Sequence, residues 1–176
     1  MKTLKDFLIE LNACEDARIA VGNMTIEQAV ANCHRGDWLL WLAAKIEIDN
    51  QKLSLAKGHC ANTVRHLMRD SRSIVAVDAA IAYGNGLIGW SELKAASDAA
   101  RAAAADSDSA AWDWASAWAS DSESDADSAS AWALGWAASA ADADSPAAKK
   151  QNQKQTADIC RQYIGAEIIE KINQLL

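Results

Sequence analysis

The chain has one proline and one phenylalanine in 176 residues. β-branched residues thin out after Val77. Scarce proline leaves long stretches free to be helical, and few β-branched residues leave little material for strands. Alanine supplies much of the 51% hydrophobic content, so an all-α chain is expected. Basic excess is also lacking. The net charge is -7 and the pI is about 4.9, so bulk charge does not draw this protein to nucleic acid.

Cysteine motifs are absent. Cys14, Cys33, Cys60 and Cys160 lie far apart with no C-x-x-C. All four are expected to be buried structural thiols. A zinc site built from Cys33, His34, His59 and Cys60 lacks ordinary ligand spacing. His59 and His66 are seven apart and are expected on one helix face with Cys60 and Thr63 near it, where a Cys–His nucleophile pair is the alternative to the commoner structural histidine. No apolar run long enough to span a bilayer occurs outside the Ala-rich stretch, and that stretch carries too many acids. The opening "MKTLKDFLIEL" is too charged for a signal-peptide core. A cytoplasmic location with reduced thiols is the expectation. G-x-S-x-G, H-E-x-x-H, a phosphate loop and a calcium loop are all missing. No catalytic, cofactor-binding or metal-binding residue is expected, and no cofactor.

What is present is a sharp partition of charge. Residues 1–97 hold eleven basic and eleven acidic residues. Residues 98–145 hold ten acids and only Arg101 as a base, for a net of -9. Residues 146–176 carry a net of +2. The acidity is therefore local.

Helix starts are readable. Thr3 precedes "LKDFLIEL", and Thr25 with Gln28 forms a capping box. Asp37 is expected to cap "WLLWLAAKIEI", with Gly36 before it in a left-handed turn and Arg35 paired to an acid. In the functional reading Arg35 joins a partner surface instead. Asp49 precedes a helix over about 52–68. Ser71 or Ser73 opens one that stops at Gly84, Asn85 and Gly86. Ser91 starts the next, with Glu92 in its first turn.

The second half alternates Ala, Ser, Asp and Trp. Five tryptophans (Trp112, Trp114, Trp118, Trp132 and Trp136) oppose a disordered tract. Spacings of four place Trp114 with Trp118 and Trp132 with Trp136. Ala allows close helix approach, and tryptophan rings fill the gaps. The Ser/Asp clusters read as helix boundaries. Helices are expected over 91–105, 109–120, 126–141 and 147–176, with Pro146 as a start signal and Gly165 as a break. The whole is read as a single all-helical domain over 1–176. Its parts are short mixed helices (1–90), acidic Ala/Ser/Asp/Trp helices (91–146) and C-terminal helices (147–176). The architecture is an irregular bundle or an α-solenoid-like stack of helical hairpins.

Three stretches carry a resemblance: "ACEDARIAVGN" (13–23), "CHRGDWLLWL" (33–42) and "VDAAIAYGNG" (77–86), followed by Ala-rich aromatic segments. In that order they resemble the immunity-protein-five-like group of bacterial and prophage-encoded proteins. The resemblance covers most of the chain. It implies an all-helical cytosolic protein that binds and neutralises a polymorphic toxin. Members of the group commonly have Tyr or Arg where this chain has Ser and Asp, which makes the surface here more acidic.

The expected function is thus a non-enzymatic inhibitory protein docking on a basic protein partner, a toxin or a defence effector. Its candidate contacts are Asp106, Asp108, Asp113, Asp121, Glu123, Asp125, Asp127 and Arg35, because acidic faces are steered onto cationic ones. Direct nucleic-acid and membrane partners are not expected. One rival is a phage-type anti-defence protein that mimics the charge spacing of DNA. Another is a small enzyme or ligand binder using the Cys/His-bearing first half.

Overall fold

The computed structural model describes residues 2–68, 70–106 and 146–176. Among the described residues every regular element is helical. The order is α1 (Leu4–Glu10), α2 (Glu15–Val21), α3 (Ile26–Asn32), α4 (Gly36–Lys45), α5 (Asn50–Asn62), a 3-10 turn (Arg65–Leu67), α6 (Ser71–Gly84) and α7 (Trp90–Asp106). Then come α8 (Pro146–Cys160), a π-helical turn (Arg161–Gly165) and α9 (Ala166–Leu175). The all-α expectation holds. Among these residues no helix is long and apolar enough to cross a membrane. The helices expected over 109–120 and 126–141 lie outside the described residues.

Most helix starts follow from local chemistry. The Thr3 hydroxyl accepts the Asp6 N–H at 3.1 Å, and the Asp6 carboxylate accepts the Thr3 N–H at 3.1 Å. Thr25 and Gln28 form the same reciprocal box on α3. Asp49 caps α5 through the Lys52 N–H at 3.0 Å. Three caps differ from expectation. α6 is capped by Asp70, which accepts the Arg72 N–H at 2.8 Å. Its carboxylate also pairs with the Arg72 guanidinium, whereas Ser73 is buried inside the helix. A charged acceptor at the N-terminus outcompetes a hydroxyl one turn later. α7 starts one residue early, where Glu92 accepts the Gly89 N–H at 2.6 Å. α4 begins at Gly36, so Asp37 lies inside its first turn and does not cap it.

Three helices end in the same way. Asn12, Glu47 and Gly86 adopt positive φ just beyond α1, α4 and α6. Each is followed by an N–H that reaches back five residues: Ala13 to Leu8, Ile48 to Ala43, and Leu87 to Ala82, all at 2.9–3.0 Å. This is the Schellman closure, and it satisfies carbonyls the helix leaves open. α5 stops at Asn62, short of the expected 68. There the Thr63 hydroxyl donates to the Cys60 carbonyl at 2.7 Å and competes with helix propagation.

Gly165 does not break the C-terminal segment. It is helical, at φ -60° and ψ -44°, and the π turn carries the chain from α8 into α9. Ala157, Cys160, Ile164, Ile168 and Ile172 all face inward and are fully buried or nearly so. A repeat of four residues drifts around a 3.6-residue helix, and the one-residue π insertion absorbs part of that drift. This stripe joins the main core with Phe7, Val30, Leu39, Leu40, Ala43 and Leu53. Two smaller clusters lie between α5 and α6 and between α6 and α7.

Candidate functional site

α1 to α4 line a half-open apolar cavity of about 340 Å³. α1 supplies Leu4 and Leu8, α3 supplies Ile26, Ala29 and Val30, and α4 supplies Trp38, Leu39, Trp41 and Leu42. Ala17 and Val21 of α2 face it from above, and Asn12 and Cys14 stand on its wall. The Schellman turn at Asn12 folds α2 back over α1. α2 contributes no buried residue to the core, and its Ile19 is 67% exposed.

The polar end of the wall is the motif "CHRGDWLLWL". Asp37 is buried. Arg35 grips it with a fork: Nε donates to Oδ1 at 2.8 Å and Nη2 to Oδ2. The same guanidinium lies 4.7 Å from the centre of the Trp38 ring. Asp37 holds Arg35 above its ordinary value. The Cys33 thiol donates to the Arg35 carbonyl at 3.3 Å, and burial pushes that thiol up. A thiol held protonated is a weak nucleophile.

Gly36 sits beside this pair but is not left-handed; the only positive-φ glycines among the described residues are Gly22 and Gly86. Its role is close approach. A Cβ at Gly36 would lie 2.5 Å from the Thr156 hydroxyl of α8, so only glycine lets α4 and α8 meet. Arg161, in the π turn, donates to the Val30 carbonyl at 3.3 Å and to the Cys33 carbonyl. It thereby caps the C-terminus of α3 and ties the cavity wall to the C-terminal helix.

The cysteines are in different environments. Cys60 and Cys160 are buried, Cys33 is half-buried, and Cys14 is exposed at the start of α2, against the expectation that all four are buried. Cys14 is the N-cap residue of α2, a helix none of whose residues is fully buried. The Cys60 thiol turns onto the Thr156 carbonyl at 3.7 Å and Cys160 Sγ at 3.8 Å. That contact, then burial, pushes the Cys160 thiol well up. His59 instead stacks on Tyr163, with ring centres 4.7 Å apart, and burial lowers its pKa. His66 lies in the 3-10 turn, beyond the end of α5, so His59 and His66 do not share a helix face. Cys33, His34, His59 and Cys60 thus face different partners. Among the described residues no cluster of three metal-ligand side chains forms.

Of the candidate contacts, Asp106 is the last residue of α7. Asp108, Asp113, Asp121, Glu123, Asp125 and Asp127 lie outside the described residues. Arg35 is paired to an acid, as the simpler reading had it, and its side chain keeps 32% exposure. Sequence reasoning missed the cavity. Trp38 and Trp41 of "WLLWLAAKIEI" are half-buried cavity walls. No family model matches the chain, and no curated protein or solved structure shows significant similarity to it.

Proposed function

We propose that this protein is a non-enzymatic inhibitory binding protein of the immunity type, working in the cytoplasm against a toxin with a basic surface. The observation that carries this is the partition of charge. Residues 98–145 hold a net of -9, while the flanking parts are near neutral or slightly basic. Such a concentration speeds encounter with a cationic partner and weakens wrong ones. Many toxins that act on nucleic acid carry cationic active sites, which an acidic inhibitor fits. The likeness of 13–23, 33–42 and 77–86 to the immunity group supports the same reading.

The test is a pull-down from the native host, followed by binding measurements on the captured partner. Replacing Asp121, Glu123, Asp125 and Asp127 together by Ser is expected to abolish binding. Several hundred millimolar salt is expected to weaken it strongly. Nanomolar binding retained by the fourfold variant would overturn the proposal. Competition by duplex DNA for the partner's surface would point to DNA mimicry in place of toxin recognition.

A further inference from the structure

We infer that the half-open cavity beside α2 is a binding site for a small uncharged apolar molecule of about a dozen heavy atoms, admitted at its open side as α2 shifts to fit it. This site is separate from the acidic region and independent of the partner proposed above.

Size comes first. A dry apolar cavity of about 150 Å³ holds benzene, with six heavy atoms, so the 340 Å³ here suits about twice that. It falls at the small end of natural ligand pockets. Walls such as Leu8, Val30, Trp41 and Leu42 offer water few hydrogen-bond partners, so an apolar molecule is favoured over water there.

Charge comes next. The wall's ionised group, Asp37, is already neutralised by the Arg35 fork. The Cys33 thiol is committed to the Arg35 carbonyl. A charged head group would enter an apolar space without a counter-charge. A neutral hydroxyl has a place at the rim, where the amide of Asn12 is exposed.

The route comes last. α2 is flanked by two positive-φ residues, Asn12 at 57° and Gly22 at 49°. It buries no residue. The Arg18 Nε on this helix is buried without a hydrogen-bond partner. A short helix that reaches the core only through half-buried Val21, and that holds an unpartnered buried nitrogen, is the wall that gives.

The experiment uses the full chain, with naphthol as a fluorescent probe displaced by decyl alcohol. Decyl alcohol is expected to bind one to one, and decanoate at least about tenfold more weakly. Ala29→Phe and Ala17→Phe fill the cavity from α3 and from α2. Each is expected to weaken decyl alcohol by at least about tenfold, with helix content unchanged. Ala17→Phe sits on the loosely packed helix, so it keeps the test valid should Ala29→Phe fail to fold. In hydrogen exchange, decyl alcohol is expected to slow the amides of 15–21 most. Absence of saturable binding, equal affinity for decanoate, or full affinity in a folded filled variant overturns the site. Protection gained only outside α2 overturns the route.

Discussion

α2 and the α8–α9 run are both short-turned helices with good helix formers, yet they are held in opposite ways. The C-terminal run buries Ala157, Cys160, Ile164, Ile168 and Ile172 along one side. It is clamped at its edges by Lys52–Glu167 at 2.7 Å and Asn173–Glu27 at 2.8 Å, and Lys171 donates to the Glu47 carbonyl. α2 has no fully buried residue, touches the core only through half-buried Val21, exposes Ile19, and walls a cavity. The difference teaches that helix formation and helix anchoring are separate matters. Propensity and acidic first-turn residues favour α2 locally, whereas firm anchoring comes from an apolar face in phase with a core.

The largest break in this contrast is Ile168→Ala. Ile168 is fully buried at the centre of the stripe. Its truncation is expected to cost about 4 kcal/mol, read as a fall in the urea midpoint with the slope unchanged. The tightly packed side also holds one unfavourable group. Burial lowers Lys57 from its ordinary 10.5 to about 8. Between those pH values the unfolded chain holds a proton that the folded protein has released, so stability rises with pH through that window. At pH about 7 the folded state carries nearly the whole penalty, about 3 kcal/mol. Lys57 keeps an interaction of its own. Lys57→Met is therefore expected to stabilise by about 2 kcal/mol at neutral pH, with the gain gone near pH 10.5. Urea unfolding at both pH values checks the direction.

Smaller effects sharpen the comparison. Thr25→Ala removes the hydroxyl that caps α3 and is expected to cost about 1 kcal/mol, seen as a lower melting temperature. Ile19→Ser, on the exposed face of α2, is expected to change stability by less than about 0.5 kcal/mol. A cost above about 2 kcal/mol there would mean that α2 is anchored after all.

Local signals were the legible part of the fold. Thr3, Thr25, Asp49 and Pro146 mark real helix starts, and Gly84, Asn85 and Gly86 mark a real stop. These depend on hydrogen bonds within three to five residues, which a sequence displays. Gly36 and Gly165 were misread because each answers to something distant: Gly36 meets Thr156, and Gly165 is held in the helix by the buried stripe. Asp37 and Ser73 were misread because a near neighbour prevailed: Arg35 holds the Asp37 carboxylate, and Asp70 takes the cap of α6. The cavity was not legible at all. Residues that line a void and residues that fill a core share the same helical spacing.

The sequence by itself determined the all-helical class, the capped ends of several helices, and the charge partition that underlies the proposed function. Those are properties of composition and of neighbours along the chain. Only the tertiary structure decided that Gly36 is a contact point, that the C-terminal segment runs on through a π turn, and that Trp38 and Trp41 border open space. Packing between helices depends on how distant faces meet, and a cavity forms where α1, α3 and α4 meet beside a helix with no fully buried residue.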